Sequence, residues 1–251
     1  VPDQGRDRRL IKEVFVQTVY YIILVPMVYF AFGVFVVGTA ARLISLFRKP
    51  KNPSTLEIFP QKGPKFLGAL GQTFLLPTVR KHNPLLWVFL MTFHICFLLL
   101  IIGHLELLGD FRIFQIWGHE IFLGGGFVGL LLCICLLFFL FRRFVSPNRE
   151  LSVPEDYYLL VLLFLTVLFG SEMDWARRWF GYGEMLVEDY RDYLMTLWHL
   201  RPMLPDAVTT SGHSFMLVLH VFFGNLFLIF FPFSKIMHSF ISLPVNKLRR
   251  G

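Results

Sequence analysis

Residues 84–107 read PLLWVFLMTFHICFLLLIIGHLEL, with no charged side chain before Glu106. A membrane span needs about 20 apolar residues to cross about 30 Å of hydrocarbon, so this stretch predicts a transmembrane helix over 84–105. The rest of the chain is built in the same way. Of its 251 residues 55% are hydrophobic, 30 are phenylalanine, and the mean hydropathy is +0.61. That composition excludes disorder and makes a soluble globular domain a poor account of the chain. Further apolar runs at 14–41, 114–141, 153–175 and 214–236 complete an all-α integral membrane protein, a single-domain bundle of five transmembrane helices. The fourth run is the shortest, uncharged only over 157–171. Ser152, followed by Pro154 and Glu155, reads as its N-cap and first turn.

The net charge of +7 could suggest nucleic acid, but the basic residues lie between apolar runs, as topology signals do. Most of the Lys and Arg fall in the 42–83 loop (Arg42, Arg48, Lys49, Lys51, Lys62, Lys65, Arg80, Lys81), after the third run (Arg142, Arg143, Arg149) and at the C-terminus (Lys247, Arg249, Arg250). The positive-inside rule therefore makes 42–83 a basic cytoplasmic loop and 176–212 an outer loop. The N-terminus is expected outside, the C-terminus in the cytoplasm, and the protein in the cytoplasmic (inner) membrane. Arg6, Arg8, Arg9 and Lys12 pull weakly the other way. The apolar run after DRRLIK (7–12) is too long for a signal-peptide core. Cys96, Cys133 and Cys135 all lie inside apolar runs, which suggests neither a disulfide framework nor a zinc site.

Against this background two histidines in the opening stretch stand out, His94 and His104. A charged group at bilayer depth costs about 2.5–3.5 kcal/mol by insertion measurements and is rare without a partner or a function. The last apolar run supplies two more, His220 toward its outer end and His238 toward its inner end. The two runs are antiparallel, so depth pairs His104 with His220 outside and His94 with His238 inside. Two histidine pairs, one near each membrane face, suit two haem irons, each held by an imidazole on either side. On ideal helices His220 and His238 would share one face about 27 Å apart, whereas His94 and His104 are about 15 Å apart. The mismatch requires tilted haems or bent helices, and Gly103 and Pro232 are natural places to bend. A single buried histidine is more often a helix–helix hydrogen bond, but four matched in depth favour haem over such contacts or a proton path. His82, His199 and His213 sit near interfaces and read as solvated.

The spacings H-x9-H and H-x17-H resemble the dihaem b cytochromes of the respiratory nitrate reductase gamma-subunit family. So do Gly103-His104, the run RRFVSP at 142–147, the triple glycine at 124–126 and FPFSKIMH at 231–238. The likeness runs over nearly the whole chain. It implies an inner haem b on His94 and His238, an outer haem b on His104 and His220, and a menaquinone site beside the outer haem. In the family that site uses a polar residue early in the third span, often a lysine. Here His119 and Glu120 stand in that neighbourhood, a departure from the family's lysine. The bland reading of these two residues is a wet helix start. The family serves either a molybdenum nitrate reductase or, in sulfate reducers and methanogens, a heterodisulfide-reductase-like iron–sulfur protein. The long cytoplasmic loop and EDYRDYLMTLWHLRP (188–202) resemble the second branch.

The expected activity is that of a quinol/quinone oxidoreductase membrane subunit, acting within a complex. It would pass electrons between the quinone pool at the outer side and a cytoplasmic iron–sulfur partner docked on the basic loop. Two alternatives keep the haems: a feed from an extracytoplasmic multihaem cytochrome c, or service to a nitrate reductase. A non-redox proton or ion transporter would show inverted repeats or interrupted helices, and the sequence suggests neither. Gly124, Gly125, Gly126 and Gly129 permit close helix or porphyrin approach, with Gly125 and Gly129 in small-xxx-small spacing. Lys235 inside, and Arg112, Arg177 or Arg178 outside, are the basic residues placed to meet haem propionates.

Overall fold

A computed structural model describes residues 4–48, 65–109, 124–181, 187–204 and 214–248, and these residues are helical with no strand among them. The stretches Leu10–Arg48, Pro84–Leu105, Pro154–Phe180 and Phe215–Phe233 are long and apolar enough to cross a membrane.

The first stretch is broken. Helix α1 covers Gln4–Leu24 and α2 covers Pro26–Arg48, where the sequence suggested one span at 14–41. Pro26 has no N–H to give the preceding turn, so the ladder is interrupted and carbonyls are released. In an apolar medium such groups must find other partners. The Asn225 side-chain amide donates to Ile23 O at 3.1 Å and the Tyr193 hydroxyl donates to Leu24 O. Leu24, Val25, Tyr193, Leu197, Leu217 and Val218 form a buried cluster around this kink.

Two short helices, α3 (Lys65–Phe74) and α4 (Pro77–His82), occupy the described part of the basic loop. Helix α5 (Pro84–Leu108) is capped by Asn83, whose side-chain oxygen accepts from Leu86 N at 2.9 Å, and it passes through Gly103 without a break. Of the third predicted span, 114–141, the part before Gly124 lies outside the described residues; α6 covers Phe127–Arg143, preceded by a tight 3-10 turn at Gly124–Gly126. Gly125 (φ +62°) and Gly126 (φ +91°) adopt left-handed backbone that L side chains avoid, so the glycines make the turn from which α6 starts. Helix α7 (Pro154–Phe180) begins one residue later than the sequence suggested. Val153 is its N-cap residue, and the Asp156 carboxylate accepts from Val153 N at 3.1 Å. Ser152 is not the cap, because its hydroxyl donates instead to Asn148 O. The helix ends at Gly181 (φ +70°).

An amphipathic helix after α7, α8 (Val187–Trp198), packs on the α1–α2 kink and on α5. Helix α9 (Ser214–Phe230) does not continue to His238. Pro232 ends it, and two 3-10 turns, Phe231–Phe233 and Lys235–Met237, lead into α10 (His238–Leu248). The ideal-helix relation between His220 and His238 therefore does not apply. Helix α10 lies on α3, where the Asn246 amide donates to Thr73 Oγ1 at 2.9 Å.

The long helices form a curved row in which α6 packs between α5 and α7, and α7 and α2 pack on α9. Lipid offers helices no hydrophobic reason to associate, so small residues and close packing do the work. A Cβ on Gly129 would stand 2.9 Å from Ser171 Cβ, and one on Gly126 would stand 2.9 Å from Trp175 Cδ1. Gly126 and Gly129 thus face α7, while Gly125 has open space around it. The packing pair is i, i+3, and the small-xxx-small pair suggested by the sequence is not the one used. Only 6% of the apolar stretch of α5 is buried, against 28% for those of α7 and α9. Helix α5 meets α9 through His104 and His220, and the start of α10 through His94 and His238.

Candidate functional site between α5 and α9

His94 and His104 both project from α5, ten residues apart and hence about 15 Å along the axis. The rings of His94 and His238 have centroids 6.4 Å apart at an interplanar angle of 82°. Those of His104 and His220 are 6.0 Å apart at 29°. Two imidazole nitrogens each about 2.0–2.1 Å from one shared metal would place their ring centroids roughly 6 Å apart. Both pairs have that spacing.

The hydrogen bonds fix which nitrogen is free. His94 Nδ1 lies 2.7 Å from Leu90 O, His104 Nδ1 2.7 Å from Leu100 O, His220 Nδ1 2.8 Å from Thr166 O and His238 Nδ1 3.0 Å from Lys235 O. A carbonyl oxygen only accepts, so each Nδ1 carries the proton and each Nε2 keeps its lone pair. That arrangement orients metal-binding imidazoles. The bond does not mark a ligand by itself, because His82 and His199 make the same contact to Thr78 O and Met195 O at exposed positions. What distinguishes the four is their meeting in pairs. Among the described residues no three His, Cys, Asp or Glu side chains converge on one point. Each pair therefore offers two imidazole donors and no more among the described residues.

The outer pair depends on a residue that the sequence reading passed over. A Cβ on Gly170 would stand 2.8 Å from both Cε1 and Nδ1 of His220. The bare glycine lets the imidazole lie against α7 and reach the carbonyl of Thr166, one turn earlier. An isolated glycine inside an apolar helical run is the signal that could have pointed to it.

Beside the inner pair stands a cluster of charges. Asp156, with its side chain 5% exposed, accepts from Arg143 Nη1 at 3.1 Å and from Lys235 Nζ at 2.8 Å. Glu155 Oε1 accepts from the backbone N of Lys235 at 3.0 Å. Lys235, a residue suggested for a haem propionate, is thus engaged by α7. At the other end of α7, Arg178 Nε and Arg177 Nη2 donate to Asp174 Oδ1 at 2.6 and 3.2 Å. His119 and Glu120, the suggested quinone contacts, lie outside the described residues, as do Arg112 and His213.

Fold and site together define a multi-pass helical membrane protein in which α5 meets α9 at one histidine pair and the start of α10 at another, each imidazole with a free Nε2 lone pair. The chain belongs to the nitrate reductase gamma subunit family, whose model matches residues 80–251. It is 28% identical over 173 residues to the Hdr-like menaquinol oxidoreductase cytochrome b-like subunit of Archaeoglobus fulgidus, covering 64% of this chain and 49% of that one. It is 25% identical over 138 residues to the nitrate reductase gamma chain of Bacillus subtilis, covering 53% of this chain and 58% of that one. The chain therefore spans about half the length of these curated relatives.

Proposed function

We propose that this chain is the dihaem cytochrome b subunit of a membrane redox complex, joining the menaquinone pool at the outer face to a cytoplasmic iron–sulfur partner. The observation that carries the reading is the pair of imidazole separations, 6.4 and 6.0 Å, with all four Nδ1 atoms tied to carbonyls. When bound, each haem b supplies a one-electron carrier. The chain's own residues set where those carriers stand: His94 and His238 hold the inner one, His104 and His220 the outer one. The names of the two relatives, one a menaquinol oxidoreductase subunit and the other a nitrate reductase subunit, support the same class.

In this reading α6, whose 17 residues span about 25 Å, is the fifth crossing. The excess of Lys and Arg in 42–83, 142–149 and the C-terminus puts these segments in the cytoplasm and the N-terminus outside. Quinol oxidation releases two protons with its two electrons. His119 and Glu120 are placed in sequence to accept those protons near the outer haem. The basic loop and α10 offer the cytoplasmic partner a positively charged platform.

Adding a menaquinol analogue to the oxidised complex in proteoliposomes and following b-haem absorbance tests this route. Prompt reduction that is slowed in His119→Ala supports a quinol feed. Haems that stay oxidised with menaquinol but are reduced by an extracytoplasmic cytochrome c would replace it with the cytochrome-fed reading.

A further inference from the structure

Three of the four histidines sit within continuous helices, so the helix ladder fixes their height and rotation. His238 does not. It follows a break, Phe231–Met237, in which Pro232 has no N–H and Ser234 is extended at φ −103°, ψ 171°. Something outside this segment must set its depth opposite His94. Lys235, three residues before His238, is held by the first turn of α7. Glu155 takes the Lys235 backbone N–H and Asp156 takes its ammonium group. Asp156 is itself held by Arg143 at the end of α6 and by Val153 N. The carbonyl of the same lysine then accepts the His238 Nδ1–H at 3.0 Å.

We infer that Asp156, assisted by Glu155, is the positioning residue that registers His238 against His94. On this view α7 acts as the ruler for both histidines of the last span. It anchors His220 through Thr166 O and His238 through Asp156 and Lys235, and these two anchors are ten residues apart on α7. Ten residues also separate His94 from His104 on α5, so both rulers measure about 15 Å. An unbroken helix from His220 to His238 would span about 27 Å. The break after Phe230 lets the last span take its spacing from α7 instead, which removes the mismatch between the two histidine spacings.

The inference rests on the dihaem reading, and a potentiometric titration of the b haems in the purified complex separates the two. His94→Ala and His104→Ala first identify the signals of the inner and outer haem. In Asp156→Asn and Glu155→Ala the midpoint potential and low-spin resonance of the inner haem should shift, or the inner haem should be lost, with the outer haem unchanged. Asp156→Glu should restore part of the inner signal. Gly170→Ala should do the opposite, moving the outer haem only. Two normal haems in well-folded Asp156→Asn, or equal disturbance of both, would overturn the positioning role. If Asp156→Asn fails to assemble, Glu155→Ala, which removes the acceptor of the Lys235 N–H, carries the test by the same criteria. A wild-type complex without b haem would sink the dihaem reading itself.

Discussion

The two histidine pairs do the same geometric job by different means. At the outer pair, His220 is part of an unbroken helix and is oriented by the bare surface of Gly170 and the backbone of Thr166. At the inner pair, His238 follows a helix break and is oriented by a carbonyl whose own residue is tied to Glu155 and Asp156. Steric access governs one end and charge pairing the other. The outer site should therefore be sensitive to side-chain volume and indifferent to charge substitution nearby, with the inner site showing the reverse. The ring planes differ as well, near perpendicular inside and closer to parallel outside. Perpendicular axial imidazoles give a low-spin ferric haem a more anisotropic magnetic resonance signal than parallel ones. The inner haem should carry the more anisotropic of the two.

The contrast can be broken most severely at the ligands. His238→Ala or His94→Ala should abolish the inner haem and leave the outer, and His220→Ala or His104→Ala the converse, as counted from optical spectra. Next in size is Gly170→Leu. Its added side chain has nowhere to go but into the imidazole, and overpacking of this kind costs about 1–3 kcal/mol. Loss of the Thr166 contact should also weaken metal retention about 10–100-fold, the usual effect of removing an orienting partner. A thermal-shift assay and haem content on dilution measure the two effects. Arg143→Ala leaves Asp156 with Lys235 but without its α6 partner, and should lower stability by about 1–3 kcal/mol, with the inner haem released first on heating.

Which parts of this were legible in the sequence follows from the range of the forces involved. Apolar run length marks where helices lie, because crossing hydrocarbon is a property of each segment by itself. The four histidines stand out for the same reason. Pro26 and Pro232 could be read as places to bend, yet the amount of helix lost after Phe230 could not. It depends on Glu155 and Asp156 receiving Lys235 from 79 or more residues away. Gly170 looked like one more small residue, since only the approach of His220 from another helix gives its missing Cβ a purpose. The Gly125–Gly129 spacing misled because Gly125 lies in a left-handed turn, outside the helix whose period the spacing assumes.

The smallest test concerns helix α8. Burial pushes the Tyr193 phenol above its ordinary range, so its hydroxyl goes on donating to Leu24 O as the pH rises. A group whose folded pKa is raised contributes stability that is complete below the unfolded value of about 10 and is lost above it. Tyr193→Phe should cost about 1 kcal/mol at neutral pH and flatten the decline in melting temperature above about pH 10. Both haems should be unaffected.

The central claim is that two imidazole pairs hold two haems. The most direct measurement is a reduced-minus-oxidised spectrum of the purified complex, with b haem quantified per copy of this chain. The account predicts two haems in the wild type and one in each of His94→Ala and His104→Ala, with different spectra remaining in the two variants. A single haem, no b haem, or the loss of the same haem in both variants would contradict it.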